Sequence, residues 1–461
     1  MNSKNHHFRI WLALGLCAAL TGGFFAACGT PASPGEKETT LVTPAEDTGL
    51  TLHVYQPHAN QAALWDSLAA DYKAITGVTV AVRTPSGANH ELKDALKAES
   101  NAPGIFLFTN PRDYGDFKDH AHNLSDTQAY QHLLDDRLAL RAENQVIGLP
   151  VGVEAYGIIY NKKILNQYFT LDNRTSGLKS MEEVKTYKDL EDLVKDLEAH
   201  KTSLGLDGVF AAPALKEGES TSWGTRLLSV PVGYEIEKSK MDVTGEDIKE
   251  LRLRHESGYK SFIDLALNYA TTKETLENRS YADAAGEFAA GKAAMVLGGT
   301  EFLGLLNSSP GQTVGAEDVV FLPALMTMEG VNNQGLAFET VEYAAINGRA
   351  SEEEILAAGE FLNWLFTSEK GMDFLANRLN LIAPYDTVGA ASLPQNPLSV
   401  NAFEWLKKEG VHSAVTWSSL VPHEDFRDKV VGRGLLSYAR GESDWEKHRE
   451  GLLRGWKENL R

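Results

Sequence analysis

From Leu50 onward, short apolar runs alternate with stretches whose apolar residues recur every three to four positions. That alternation predicts strands and amphipathic helices in turn. Leu52, Val54 and Tyr55 read as a strand. Trp65, Leu68, Ala69, Tyr72 and Ile75 follow at helical spacing, with Gly77 as a left-handed stop. Residues 78–82 predict a second strand, 91–100 a short helix with Leu92, Ala95 and Leu96 inward, and 105–108 a third strand. A second series starts after Gly148-Leu149-Pro150. It has strands at 157–160, 209–212 and 293–297, and helices at 262–269 and 282–290. Thr186 to Asp189 resembles a capping box with Asp in place of the usual Glu or Gln, opening a helix that buries Leu190, Leu193, Val194 and Leu197. Ser351 to Glu354 is a clean capping box for a helix burying Ile355, Ala358, Phe361, Leu362 and Leu365, and the C-terminus is a helix anchored by Trp445, Leu452 and Trp456. No repeat of solenoid length is visible. The pattern predicts an α/β fold.

The N-terminus follows a different rule. Lys4 and Arg9 precede an apolar run over 10–20, then Thr21-Gly22-Gly23 and Phe25-Ala26-Ala27-Cys28. This order is a charged n-region, an h-region and a small-residue cleavage site. Because it ends on Cys28, it resembles a bacterial lipoprotein signal, in which Cys28 is lipidated and becomes the mature N-terminus. A one-pass membrane anchor is the other reading, but the apolar run is shorter than the ~20 residues that span a bilayer. Residues 28–49, with Pro31, Pro34 and Pro44 among Thr, Ser, Gly, Glu and Lys, read as a flexible tether. The chain has 2 cysteines, both in the signal segment, so the body forms no internal disulfide. The formal charge of −19 argues against a nucleic-acid partner and against broad adhesion to anionic lipid.

Several segments, in order, resemble the extracellular solute-binding proteins of bacterial ABC importers, in the carbohydrate-binding family that includes maltose-binding proteins. The stretch 148–165 carries Pro150, Glu154, Tyr160, Asn161 and Lys162 at the family's Pro-x-x-x-Glu-x-x-x-x-x-Tyr-Asn-Lys spacing. Phe288, Gly291, Lys292, Ala293, Ala294 and Met295 fit its Phe-x-x-Gly-Lys-Ala-Ala-Met strand entry. Asn347, Phe361-Leu362-Asn363-Trp364, Gly371 and Ile382-Ala383-Pro384 also fit. Ala102-Pro103-Gly104 departs from the family's Ala-Pro-Asp, and His423, Glu424 and Asp425 do not align cleanly. The resemblance implies a two-lobe periplasmic-binding-protein-like fold, each lobe a sheet flanked by helices, hinged around a central cleft. The lobes would comprise 50–152 with 327–385, and 157–320 with 390–461, behind a signal peptide at 1–27.

Sugars need acceptors for their hydroxyls and aromatic faces for their C–H surfaces. Glu154, followed by Tyr156, matches the family position that accepts from sugar hydroxyls; a solvated hinge carboxylate is the alternative. Trp223, among Glu219, Ser220, Thr221, Ser222 and Gly224, reads as a stacking platform in a loop or as a core ring shielding Leu227 and Leu228. Gly298 and Gly299 with Thr300 and Glu301 follow a strand and permit close backbone approach, or simply make a turn. Gln56, Phe108 and Asn110 sit at the carboxyl ends of strands, where open α/β sheets bind ligands. Trp417 resembles the stacking aromatic of the second lobe.

The function implied is a lipid-anchored, extracytoplasmic substrate-binding protein that captures a mono- or oligosaccharide for the permease subunits of an ABC importer. It would need no cofactor and would not be an enzyme. No Gly-x-Ser-x-Gly, His-Glu-x-x-His or Ser-x-x-Lys pattern occurs. Asp116, Asp119, His120, His122 and His132 have the ligand types of a zinc site, and read otherwise as an exposed polar loop. Metal or other small-solute capture, and solute sensing for a membrane partner, are the alternative functions.

Overall fold

The computed structural model describes residues 45–85, 90–98, 100–389, 392–421 and 426–460. Cys28, the signal segment, the tether to residue 44, and His423, Glu424 and Asp425 lie outside them. The described residues belong to one compact unit, Pro44–Arg461.

Ten strands form the framework: β1 (Thr51–Tyr55), β2 (Thr79–Arg83), β3 (Ile105–Phe108), β4 (Leu140–Ala142), β5 (Gln145–Asn161), β6 (Gly208–Phe210), β7 (Ala293–Gly299), β8 (Val319–Leu322), β9 (Gln334–Ile346) and β10 (His412–Thr416). The main order is β2-β1-β3-β9-β5-β7-β6, with β10 on β9 and with β4 and β8 on β5. β1, β2 and β3 are mutually parallel, as the β-α-β-α-β pattern requires. The fold is therefore α/β, and two long strands, β5 and β9, are neighbours at the middle of the strand order.

Those long strands depart from the sequence reading. The stretch 148–150, expected to separate two series of elements, lies inside the 17-residue β5. Gly148, Pro150, Gly152 and Gly157 punctuate it and hide it from a pattern search. The register with β9 shifts twice, between Pro150 and Gly152 and between Gly152 and Val153. Such irregularities bend a strand and re-aim its side chains. Here a third segment joins: Val153 bridges to Ile382, and Tyr385 Oη donates to the Pro150 carbonyl at 2.7 Å. A Cβ on Gly152 would lie 2.7 Å from Leu381 Cβ, so only glycine lets the third segment approach this closely.

The helices pack as their apolar spacing predicts. Trp65, Leu68 and Tyr72 of helix Ala62–Thr76 are buried, and Gly77 closes it at φ 75°. Tyr72 meets Phe361 and Trp364 of helix Glu352–Thr367 edge-on at 4.9 and 5.0 Å. Each such buried ring or Leu contributes about 1.5–3 kcal/mol. The helix expected over 91–100 ends at Leu96. Residues 45–49, read as the end of the tether, bond to the first helix: Thr48 N donates to the Gly77 carbonyl at 3.1 Å, and Asp47 pairs with Lys73 at 3.0 Å. The Thr186 capping box forms completely, with Asp189 returning to the backbone N–H of Thr186 at 2.9 Å. The Ser351 box forms by half: Ser351 caps Glu354 N, while the Glu354 carboxylate lies 3.5 Å from His53 Nδ1.

Candidate functional site

Glu154 leaves β5 just past the register shifts, opposite Glu339 of β9. Its Oε2 accepts from Arg226 Nη2 at 2.9 Å, and Arg226 Nη1 donates to Glu301 Oε1 at 2.6 Å. Arg226 closes the π-helical turn Ser222–Arg226, while Glu301 follows the end of β7. The pair lies directly over Gly299, where a Cβ would be 2.3 Å from both Arg226 Nη1 and Glu301 Oε2. Glu339 accepts from the Ser418 hydroxyl and, at 3.0 Å, from Ser419 N. Three carboxylates thus gather around one guanidinium.

Their environment tunes them. Burial raises the pKa of Glu154, Arg226 lowers it, and Glu301 adds repulsion. Burial likewise raises the pKa of Glu339, against the bonds from Ser418 and Ser419. Burial works against the Arg226 charge, but Glu301 and then Glu154 hold its pKa above the ordinary value. With Glu154 at 42% side-chain exposure and Glu301 at 40%, both carboxylates keep lone pairs open to solvent.

Glu154, Thr300 and Glu301 line a cavity of about 540 Å³ together with Asn307, Asn380, Gln395 and Asn396. Its apolar wall comes from Leu303, Leu381 and Ile382. Carboxylates accept hydrogen bonds and carboxamides both donate and accept, so this lining suits a neutral solute rich in hydroxyls. No aromatic ring lines it; Trp417 lines a separate cavity of about 830 Å³ with Arg137 and Glu237.

The remaining candidates fall in several places. Tyr156 is buried and its hydroxyl donates to the Ser222 carbonyl at 2.6 Å, bracing the turn that carries Arg226. The loop expected around Trp223 is that helical turn, and the Trp223 ring is 3% exposed, so it packs as core. Phe108 is buried and stacks on Tyr343 at 5.4 Å. Asn110 caps the turn Pro111–Asp113 through Arg112 N at 3.0 Å. Gln56 is fully buried, donates to Thr84 Oγ1 and the His58 carbonyl, and accepts from His58 N. The structure therefore brings Glu154, Gly299, Thr300 and Glu301 together and sets Gln56, Phe108 and Trp223 into packed surroundings.

Sequence reading passed over Arg226 and Glu339. Arg226 lies three residues beyond Trp223 in a segment taken as a loop, and Glu339 sits in β9, which no alternation announced. It also passed over Arg112, whose Nη1 and Nη2 donate to the Gly245 carbonyl at 2.6 Å and to Glu246 at 2.9 Å, linking the end of β3 to a distant loop.

The acidic and histidine residues at 116–132 disperse. Asp116 pairs with Lys93, Asp119 with Arg349, His120 with Asn347 and His132 with Asp386. Among the described residues no group of three or more His, Cys, Asp or Glu could hold a metal. No described helix is long and apolar enough to cross a membrane.

Residues 67–399 match the family described as bacterial extracellular solute-binding protein, and the chain belongs to that family. Its place of work is therefore extracytoplasmic. No protein of curated function matches the chain. Among solved structures it is similar to a family 1 extracellular solute-binding protein from Bifidobacterium longum subsp. infantis. That likeness has a TM-score of 0.62 at 16% identity and covers 89% of this chain and 99% of that one. Apo-form RafE from Streptococcus pneumoniae gives 0.59 at 14% identity, covering 90% and 98%, and RafE with raffinose gives 0.53 at 14%, covering 89% and 99%. The cyclic alpha-maltosyl-1,6-maltose binding protein of Arthrobacter globiformis gives 0.54 at 14% identity, covering 89% and 99%. The fold is that of the periplasmic-binding-protein-like solute-binding proteins.

Proposed function

We propose that this protein captures a carbohydrate, mono- or oligosaccharide, at the crossing around Glu154, closes two lobes on it, and hands it to an ABC permease without altering it. The observation that carries this reading is the cavity in which Glu154 and Glu301 face four carboxamides beside a small apolar wall. Hydroxyls donating to Glu154 and Glu301 would trade places with, or join, the Arg226 guanidinium. A raffinose-binding and a maltosyl-maltose-binding protein among the similar structures support a sugar as solute.

The lobes would meet along β5, β9 and the segment at Ile382, with closure driven by contacts made only in the closed state. Three carboxylates against one guanidinium also favour a cationic solute such as a polyamine as the second reading. A thermal-shift panel of neutral sugars and polyamines tests both, because a specific ligand stabilises by mass action. One sugar should raise the melting temperature, and Glu154→Gln should weaken it in calorimetry by ~1.5–3 kcal/mol. Unchanged affinity removes Glu154 from the site; a response to polyamines alone removes the sugar.

The lipoprotein signal supports anchoring through Cys28 at the outer face of the cytoplasmic membrane. Cys28→Ser should shift the protein from the membrane to the soluble fraction in a cell fractionation, whereas continued membrane attachment would favour an uncleaved helix.

A further inference from the structure

The cavity at Glu154 is out of balance in charge and in hydrogen-bonding groups, and both imbalances bear on what fills it. Glu154 and Glu301 line it, and among the described residues no Lys, Arg or His does. The cation in contact with them is Arg226, which divides itself between the two. Its Nη2 donates to Glu154 Oε2 at 2.9 Å and its Nη1 to Glu301 Oε1 at 2.6 Å. One guanidinium thus offsets one of two negative charges. Glu154 Oε1 and Glu301 Oε2 accept from no described residue, and both side chains reach solvent. Glu339, across β9 from Glu154, brings no further cation, because its partners are Ser418 and Ser419.

The carboxamides supply the second observation. Asn396 is already engaged within the fold: its Nδ2 donates to the Thr300 carbonyl at 2.8 Å and its Oδ1 accepts from Leu398 N at 2.9 Å. The side-chain amides of Asn307, Asn380 and Gln395 have no partner among the described residues. Each presents a carbonyl that accepts and an N–H2 that donates. A neutral sugar matches these amides but leaves one negative charge without a counter-ion as it displaces water, which is unfavourable. A polyamine matches the charge, but its ammonium groups only donate. The amide N–H2 groups would then lose their water partners without replacement. A sugar bearing one amine meets both demands. Its ammonium has three donors for the vacant carboxylate oxygens, and its hydroxyls both donate to and accept from the amides.

We propose that the solute is an amino sugar with a free, protonated amine, its ammonium paired with Glu154 and Glu301 and its hydroxyls with Asn307, Asn380 and Gln395. This inference rests on the reading that the cavity binds a carbohydrate, and it names the class of carbohydrate.

The test titrates the purified full chain by calorimetry with glucosamine, galactosamine, mannosamine and the glucosamine disaccharide and trisaccharide. Each is compared with its N-acetyl derivative and with its neutral parent sugar. A charge-assisted bond is about twice as strong as a neutral one, so one amine should bind about tenfold more tightly than both of its neutral counterparts. Glu301→Gln removes the excess charge and should bring that ratio close to one. Arg226→Gln adds to the excess and should widen it. A merely structural loss would weaken amine and parent alike and leave the ratio where it was. A parent or N-acetyl sugar that binds as tightly as the amine overturns the inference while leaving carbohydrate capture at Glu154 standing. A ratio that neither variant moves does the same. Binding of polyamines with no response to any sugar, charged or neutral, overturns the carbohydrate reading itself and this inference with it.

Discussion

Asp196 illustrates how single side chains hold this fold. Its carboxylate is buried in helix Tyr187–Leu204 and accepts from the Tyr168 hydroxyl at 2.6 Å, from Ser176 N at 3.0 Å, and from Thr175 through both hydroxyl and backbone N–H. Burial alone would raise its pKa, but those bonds outweigh it and lower the pKa from 3.8 to about 2. The unfolded chain therefore binds the proton first as the pH falls. The stabilisation is complete above 3.8 and is lost as the pH drops towards 2, a span of about 2 kcal/mol. Asp196→Asn should cost a similar amount in urea unfolding at pH 7 and flatten the acid limb between those values. An acid limb that Asp196→Asn leaves unchanged would contradict this account. Glu154 shows the opposite balance: burial prevails and raises its pKa, because it holds an acceptor in reserve rather than saturating it within the fold.

Among elements, the two N-caps separate local from tertiary control. Thr186 and Asp189 complete a reciprocal box at the start of a helix whose apolar stripe was readable throughout. Thr186→Ala should cost about 1 kcal/mol by chemical denaturation. Ser351 has the same sequence signature, yet Glu354 turns towards His53 of β1 instead of its own helix start. Ser351→Ala should still remove the single cap bond, whereas Glu354→Ala should cost less than Asp189→Ala in the same measurement. Short apolar runs and 3.6-residue spacing made β1, β2, β3, β7 and the longer helices legible, β3 and β7 being continuous apolar stretches buried on both faces. β5 and β9 were hidden because they are long and irregular. Glycines and a proline interrupt β5 where other segments press close, and polar residues such as Glu339, Thr340 and Glu342 break the apolar run of β9.

For the molecule as a whole, the consequential feature is that β5, β9 and the bridge at Ile382 share one place. Closure on a ligand would be a bend there. Small-angle scattering should report a smaller radius of gyration when the sugar found in the thermal panel is added, and no change with a non-binding sugar. The clasp from Arg112 to Gly245 and Glu246 ties the end of β3 to a loop far along the chain. Arg112→Ala should therefore speed hydrogen exchange at 242–250 in the ligand-free protein, while the same variant should leave exchange in helix Tyr187–Leu204 unaltered. Equal protection at 242–250 in both proteins would show that the clasp does not restrain that loop.

The chain by itself determined the α/β class, the acidic charge balance and the family motif that carries Glu154. These are local or compositional properties, set by the period of apolar residues, by charge count and by short-range spacing. Only the tertiary structure decided that Arg226 and Glu339 join Glu154, that Arg226 meets Glu301 over Gly299, and that Trp223, Phe108 and Gln56 face packed interior. Such contacts bring together residues far apart in sequence. Their energy depends on which side chains share a buried space, and no short stretch of sequence records that.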